Sequence, residues 1–266
     1  MSKTLPRPQP EWLAMRVMRK VPEVTIYFWI IKLLSTAMGE STSDYLVYHI
    51  NPYIAVALGS IGLIASLVLQ LLVRRYVAWI YWLAVVMVAI FGTMAADVLH
   101  VVLGIPYLVS TVFFAIALAV IFVVWYGSEK TLSIHSINTP RRELFYWATV
   151  MATFALGTAV GDYTAATLGL GYFSSGVLFA VLFAVPALAY RLFGLNAIVA
   201  FWFAYIMTRP FGASFADWFG KPILGGLGLG DTKVALVLTI LIIIFVGYLT
   251  VTRKDIEGEQ RLTPRS

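Results

Sequence analysis

One pattern occurs four times along the 266-residue chain: an aromatic residue and a tryptophan, then a glycine, then an aspartate 15 residues after the tryptophan. The four copies are Phe28-Trp29…Gly39…Asp44, Tyr81-Trp82…Gly92…Asp97, Tyr146-Trp147…Gly157…Asp162 and Phe201-Trp202…Gly212…Asp217. Because the chain has only 8 tryptophans, four coincidences at one spacing indicate an internal repeat rather than chance. The chain must therefore fold into four related units.

The composition places these units in a membrane. Hydrophobic residues make up 61% of the chain and charged residues 12%, whereas soluble domains are about 25% charged. A soluble protein this apolar would expose large apolar patches. The chain has no cysteine, which excludes a disulfide framework or a thiolate metal site.

Eight apolar runs are each long enough to cross a bilayer, for which about 20 residues are needed. They lie at about 24–46, 53–73, 77–103, 107–127, 144–168, 172–192, 195–219 and 232–252. Lipid offers no hydrogen-bond partners to the backbone, so spans of this length are helices. We expect an all-α integral membrane fold of eight transmembrane helices, as four parallel two-helix repeats in a pseudo-fourfold bundle. The expected repeats are 24–75, 77–130, 144–192 and 195–252, within a membrane domain over 24–252.

The basic residues predict the orientation. Of the 19 Lys and Arg residues, 15 fall in the tails 1–23 and 253–266 or in loops on the same side, whereas only Lys221 and Lys233 fall on the opposite side. Cytoplasmic loops carry the excess of positive charge. We therefore expect a bacterial inner-membrane protein with both tails cytoplasmic. Topology also explains the net charge of +6, so no nucleic-acid partner is expected.

On a helix, the tryptophan and the residues 7, 11 and 15 positions beyond it share one face. These stripes are Trp29, Thr36, Glu40 and Asp44; Trp82, Ala89, Thr93 and Asp97; Trp147, Phe154, Thr158 and Asp162; Trp202, Arg209, Ala213 and Asp217. If the repeats close around an axis, the aspartates form an acidic ring near the outer mouth of a central cavity. The repeated glycine lies on another face, where a small residue lets helices approach closely.

A structural alternative explains the same residues without a cavity. The aspartates could contact water at the outer helix ends, or they could cap the N-termini of the even-numbered helices, where a carboxylate is favourable. The tryptophans could be interfacial anchors.

Three charged residues within the spans occur in single copies. Glu40 and Arg209 lie on the stripes of the first and fourth repeats, which become neighbours if the ring closes. Because an ion pair with hydrogen bonds lowers the cost of burying both charges, we predict that they pair beside the central cavity. Lys32 is predicted to pair with Glu40 through water or another helix.

Two further patterns concern chemistry. Asp97 and His100 are three residues apart on one helical face, a spacing that a metal can use. The chain has no phosphate-binding loop, dinucleotide fingerprint, metalloprotease helix or nucleophile elbow. We therefore expect no enzymatic activity, although an intramembrane enzyme could use Glu40, or Asp97 with His100, for its chemistry. The sequence identifies no cofactor.

The aromatic-Trp pairs and the Gly-x4-Asp segments also carry a resemblance, together with Lys20-Val21-Pro22-Glu23-Val24 and Gly39-Glu40-Ser41-Thr42-Ser43-Asp44. With them the chain resembles a family of bacterial inner-membrane proteins of unknown function, built from four tandem two-helix repeats that each contain a tryptophan. The resemblance covers about residues 20–252 and implies an architecture but no substrate.

The excess of carboxylates over basic residues within the spans favours a secondary transporter or permease for a cationic substrate. A metal ion or an organic cation would suit, with or without proton coupling, and the tryptophan faces offer cation–π contacts. The residues predicted to bind it are Lys32, Glu40, Asp44, Asp97, Asp162, Arg209 and Asp217 with Trp29, Trp82, Trp147 and Trp202. The alternative is a membrane scaffold or sensor with structural aspartate caps. A polar cavity favours transport, and a dry centre favours the scaffold.

Overall fold

The computed structural model describes residues 19–256, in which eight long helices occur and no strand. The helices are α1 (Ile26–His49), α2 (Pro52–Leu72), α3 (Ala78–Asp97), α4 (Tyr107–Glu129), α5 (Pro140–Asp162), α6 (Gly171–Phe193), α7 (Ala197–Gly220) and α8 (Asp231–Thr252). Short π-helical turns follow α3 (Val98–Val102) and α5 (Tyr163–Thr167). Most of the two predicted cytoplasmic tails lies outside the described residues.

Six of these helices, α2 to α6 and α8, are long and apolar enough to cross a membrane. They indicate a multi-pass membrane protein. The other two, α1 and α7, have similar length but carry the charges that interrupt the apolar pattern: Lys32, Glu40, Asp44, Arg209 and Asp217.

The odd-numbered helices form a closed inner ring. Helix α1 packs on α3, α3 on α5, α5 on α7, and α7 returns to α1. The even-numbered helices lie outside this ring, and each packs mainly on the inner helix of the following repeat: α2 on α3, α4 on α5, α6 on α7, and α8 on α1. In the most apolar stretch of each helix, the buried share is 56% for α3 and 67% for α5, which belong to the inner ring. It is only 17% for α4 and α6, which lie outside the ring. The outer helices therefore present an apolar surface suited to lipid.

An aromatic layer repeats around the ring. The aromatic residue that precedes the tryptophan of one repeat contacts the tryptophan of the next. The ring centroids of the four pairs are 5.7 Å apart for Phe28–Trp82, 5.6 Å for Tyr81–Trp147, 6.2 Å for Tyr146–Trp202 and 5.7 Å for Phe201–Trp29. The fourth contact joins the last repeat to the first, so the aromatic layer closes the ring.

The repeated glycines form a second cyclic layer. Each glycine faces the next repeat, at the residue seven positions after that repeat's tryptophan. The pairs are Gly39 with Ala89, Gly92 with Phe154, Gly157 with Arg209 and Gly212 with Thr36. A Cβ at any of these glycines would lie under 3.0 Å from its neighbour, which real Cβ atoms do not tolerate. The predicted role of the glycine as a close-packing position is confirmed.

Both described ends of the chain meet at one end of the bundle, here called the inner end. The backbone N–H of Glu23 donates to the Asp255 carbonyl at 3.0 Å, and the Tyr76 hydroxyl donates to the Asp255 carboxylate. Lys20 pairs with buried Glu143, which also accepts from Gln70 at 3.0 Å. The repeated aspartates lie at the opposite, outer end.

Candidate functional site: an acidic cluster in the outer half of the ring

Arg209 lies at the centre of the ring and has no solvent exposure. Its guanidinium donates to the Thr36 carbonyl at 3.1 Å, to the Glu40 carboxylate, to the Thr93 hydroxyl, and to the Thr158 hydroxyl at 2.7 Å. These acceptors come from α1, α3 and α5, so one side chain of α7 links all four inner helices. The predicted ion pair of Glu40 with Arg209 is confirmed.

The two threonines are oriented for this contact by their own helices. The Thr93 hydroxyl donates to the Ala89 carbonyl at 2.9 Å, and the Thr158 hydroxyl donates to the Phe154 carbonyl at 3.1 Å. Each hydroxyl hydrogen is thereby used within its helix, which leaves the oxygen lone pairs to accept from Arg209. Both threonines occupy the stripe position that is Glu40 in the first repeat.

Next outward, Lys221 connects two repeated aspartates. Its ammonium nitrogen lies 2.9 Å from a carboxylate oxygen of Asp44 and 2.8 Å from one of Asp217. Both aspartates are buried. Burial alone would lower the pKa of Lys221, but the carboxylates of Asp217 and Asp44 outweigh it and hold that pKa well above its usual value.

Three carboxylates converge between these two layers. Oxygen atoms of Glu40, Asp162 and Asp217 all lie within 4.8 Å of one another, close enough to hold one metal ion. The remaining aspartate, Asp97, accepts a long hydrogen bond of 3.5 Å from the Ser43 hydroxyl. Each repeated aspartate thus meets a group on another inner helix or on the loop after α7, as a ring requires.

Among residues 19–256, no hydrogen bond joins a repeated aspartate to the N-terminus of an even-numbered helix, so the structure does not show the capping alternative. Asn51 caps α2 by accepting from the Tyr53 N–H at 3.0 Å. Helices α4, α6 and α8 have no side-chain hydrogen bond at their caps.

The aspartates fall into two pairs. Asp44 and Asp217 are buried and flank Lys221, whereas Asp97 and Asp162 are half-buried, and a π-helical turn begins at the residue after each. These turns widen the last turn of α3 and of α5, directly after the aspartate. The second and third repeats therefore hold their carboxylates differently from the first and fourth.

Lys32 makes no direct ion pair with Glu40, and a pairing through water stays a prediction. Its ammonium lies 3.8 Å from the ring centre of Phe154 and 4.2 Å from that of Tyr205, with no hydrogen-bond acceptor among the described residues. It is 1% exposed. A cation–π contact supplies about 2 kcal/mol when desolvated, against several kcal/mol for burying the charge. Stability therefore does not account for this lysine.

The four repeated tryptophans serve as packing residues in the aromatic layer. Trp82, Trp147 and Trp202 are buried and Trp29 is half-buried. The Trp202 indole also donates to the Leu132 carbonyl at 2.8 Å. Among the described residues, the cation–π contacts involve Phe and Tyr rings, so the predicted role of the tryptophans as a cation-binding face stays a prediction.

The structure gives Asp97 and His100 different partners. The imidazole nitrogens of His100 lie 3.1 Å from the Ile105 carbonyl and 3.3 Å from the Ser110 hydroxyl, and its ring packs on Tyr107. Metal binding by this pair stays a prediction, while the ligand atoms within reach of one ion belong to Glu40, Asp162 and Asp217.

Sequence reasoning missed Lys221 as part of the site, because its position after α7 indicated only an outer loop. Its separation of four residues from Asp217, which puts two helical side chains together, was the available signal. Thr93 and Thr158 stood on the predicted stripes, but their neutral side chains gave no reason to place them around Arg209.

Comparison with known families gives one match. The family described as Repeat of Unknown Function (DUF347) matches four segments, residues 27–76, 80–131, 145–194 and 200–255. No curated protein and no solved structure matches the chain. The four matched segments each contain one copy of the repeated pattern.

Proposed function

The chain belongs to the DUF347 repeat family, and we propose that it is a secondary transporter or permease that moves a cationic substrate across a bacterial inner membrane. The observation that carries the proposal is a charge imbalance in the outer half of the ring. Five carboxylates lie there, those of Glu40, Asp44, Asp97, Asp162 and Asp217, and the basic partners they contact are Arg209 and Lys221.

An ionised carboxylate in a membrane interior is costly unless a positive charge or a proton accompanies it. Arg209 and Lys221 balance two of the five carboxylates. The remainder must recruit cations or protons. A site at the outer end that exchanges protons for cations meets the basic requirement of proton-coupled cation transport.

A divalent metal ion is the cation that this geometry favours. Hard cations such as Mg²⁺, Ca²⁺ and Mn²⁺ prefer carboxylate oxygens. Glu40, Asp162 and Asp217 offer three such oxygens within 4.8 Å of one another, and they come from three inner helices. An ion bound there would draw α1, α5 and α7 together. An organic cation would instead require a wider opening between the same helices.

The membrane arrangement that we propose has eight spans with both tails in the cytoplasm. Helices α1 and α7 are long enough to cross. Their charged side chains point into the ring, where Lys32, Glu40 and Arg209 are buried, so lipid does not meet those charges. With the inner end in the cytoplasm, 15 of the 19 Lys and Arg residues lie on that side.

A second candidate is a membrane scaffold or sensor without transport. The dense aromatic layer in the inner half favours it, because Trp82, Tyr81 and Tyr146 are almost fully buried and leave the ring closed there. Transport requires this layer to open, whereas a scaffold requires only that it persist.

Flux measurements separate the two candidates. The purified protein is reconstituted into liposomes that contain a metal-sensitive dye and a pH-sensitive dye, and Mn²⁺, Ca²⁺ and tetraethylammonium are added outside in turn. We expect Mn²⁺ entry in wild type and at least a tenfold loss of rate in Asp162→Asn. Glu129→Gln makes the same chemical change at the inner end, where Glu129 pairs with Arg142, and should retain flux. Wild-type liposomes no more permeable than protein-free ones to every cation tested would remove transport and leave the scaffold.

A further inference from the structure

We propose that Lys221 is the resident cation of the carboxylate cluster, occupying the place of the substrate cation until that cation displaces it. The proposal rests on the proposed function and adds the residue that sets its affinity. An ammonium group that bridges two buried carboxylates does what a bound cation would do, but it is attached to the chain.

The geometry supports a built-in occupant rather than an incidental surface pair. The Lys221 ammonium contacts Asp44 and Asp217 at 2.9 Å and 2.8 Å, and only 18% of its side chain is exposed. Asp217 is also one of the three carboxylates grouped within 4.8 Å. A metal ion at that group and the ammonium of Lys221 therefore compete for the same carboxylate.

The loop after α7 holds the lysine in place. Its backbone returns along the end of α7, with Leu227 N–H donating to the Trp218 carbonyl at 2.6 Å and Gly228 N–H donating to the Lys221 carbonyl at 3.2 Å. Gly226 lies against the backbone of Lys221 so closely that a Cβ would not fit. The backbone is thus fixed, while the side chain has rotatable bonds through which the ammonium can leave.

The electrostatics give the direction of the effect. The Lys221 ammonium lies 2.9 Å from a carboxylate oxygen of Asp44 and 2.8 Å from one of Asp217, so it places a positive charge directly beside the cluster. Like charges repel, so the ammonium opposes the entry of a cation for as long as it stays beside the cluster. Removing the charge therefore strengthens cation binding, and the identity of the side chain tunes which cations compete successfully.

The first test compares two lysines at the outer end. Binding of Mn²⁺ to the purified protein is measured from the electron paramagnetic resonance signal of the free ion. We expect Lys221→Gln to bind Mn²⁺ about tenfold or more tightly than wild type, whereas Lys221→Arg shows no gain because it keeps the charge. Lys233→Gln removes a charge from an exposed lysine in the first turn of α8 and should leave affinity unchanged.

The second test uses the wild-type protein and needs no variant to fold. A water-soluble acylating reagent is applied with and without Mn²⁺, and modification of Lys221 and Lys233 is followed by mass spectrometry. We expect slow modification of Lys221 that Mn²⁺ accelerates severalfold, with no change at Lys233.

The outcomes distinguish this inference from the proposed function. Equal Mn²⁺ affinity in wild type and Lys221→Gln, with flux present, would refute the resident-cation role and leave transport intact. Modification of Lys221 that Mn²⁺ does not alter would contradict displacement in the same way. If neither protein binds Mn²⁺ nor carries any cation, the proposed function fails and this inference fails with it.

Discussion

The inner and outer ends of the bundle both contain buried or half-buried carboxylates, but they balance them differently. At the inner end Glu143 pairs with Lys20, and Glu129 pairs with Arg142. In the outer half of the ring, Glu40 and the four repeated aspartates share two basic residues, Arg209 and Lys221. Matched pairs between the chain ends and the loops hold a structure together, whereas ionisable groups in excess within a membrane interior commonly mark a pathway for an ion or a substrate.

Within each repeat, some positions make the same contacts in all four copies and others differ from copy to copy. The aromatic residues and the glycine make equivalent contacts in all four repeats. The stripe positions between glycine and aspartate differ, with Glu40, Thr93 and Thr158 around a single Arg209. Shared positions build the ring and supply the four aspartates, and departures from the repeat add Glu40 and Arg209 to them.

The largest effect on stability is expected for Arg209→Ala. The change leaves Glu40 buried without its cation and removes the group that links four helices, and breaking a buried ion pair on one side costs about 3–5 kcal/mol. Unfolding in sodium dodecyl sulfate, followed by circular dichroism, measures the loss. The double variant Glu40→Gln with Arg209→Gln should recover part of it, because no uncompensated charge remains. If the loss in the double variant equals the sum of the single losses, the two residues are uncoupled and their pairing is not the source of the stability.

A smaller loss is expected for Gly212→Ala, which tests closure between the fourth and first repeats. The new methyl group would meet Thr36 and the backbone of Ala37, and overpacking of this kind costs about 1–3 kcal/mol. Gly127→Ala is the matched control, since Gly127 lies in α4 with open space around it and alanine favours a helix. Equal stability of the two variants in the same unfolding assay would show that the close contact between α7 and α1 does not contribute to the stability of the fold.

The smallest effect on stability is expected for Lys32→Met. Lys32 has no hydrogen-bond acceptor among the described residues, and replacing a buried charged group with an apolar one of similar volume is often neutral or stabilising. The free energy of unfolding should change by less than about 1 kcal/mol or rise. A loss as large as that of Arg209→Ala would contradict this, and would mean that the contacts with Phe154 and Tyr205 stabilise the ring.

Much of this architecture could be predicted from the sequence because it is repeated. The spacing of tryptophan and aspartate fixed one helical face in each unit, and the observed α6, Gly171–Phe193, differs from its prediction by one residue at each end. The pairing of Glu40 with Arg209 followed from ring closure and the cost of lone charges. These features follow from the spacing of the repeated residues and from the cost of burying unpaired charges, and both can be judged from the sequence.

Other features depend on contacts between helices and loops that the spacing of residues in the sequence does not predict. The docking of each outer helix on the following repeat is a choice between neighbours of similar apolar character. The Phe154 and Tyr205 rings around Lys32 come from two other helices. The approach of Lys221 to Asp44 depends on the loop that returns along α7. The π-helical turns after Asp97 and Asp162 have no counterpart in the other repeats, although the aspartates themselves are equivalent in sequence.

The location of a bound ion tests most directly whether the excess carboxylates at the outer end, and not the paired ones at the inner end, bind a cation. Because the chain has no cysteine, a single nitroxide label can be attached at Thr232→Cys at the outer end or at His135→Cys at the inner end, both exposed positions. The distance from each label to bound Mn²⁺ is then measured by pulsed electron paramagnetic resonance. We expect an ion that lies close to the label at 232 and far from the label at 135, and that Asp162→Asn no longer binds. An ion that lies nearer to the label at 135, or binding that Asp162→Asn leaves unchanged, would contradict the claim that the outer carboxylates form the cation site.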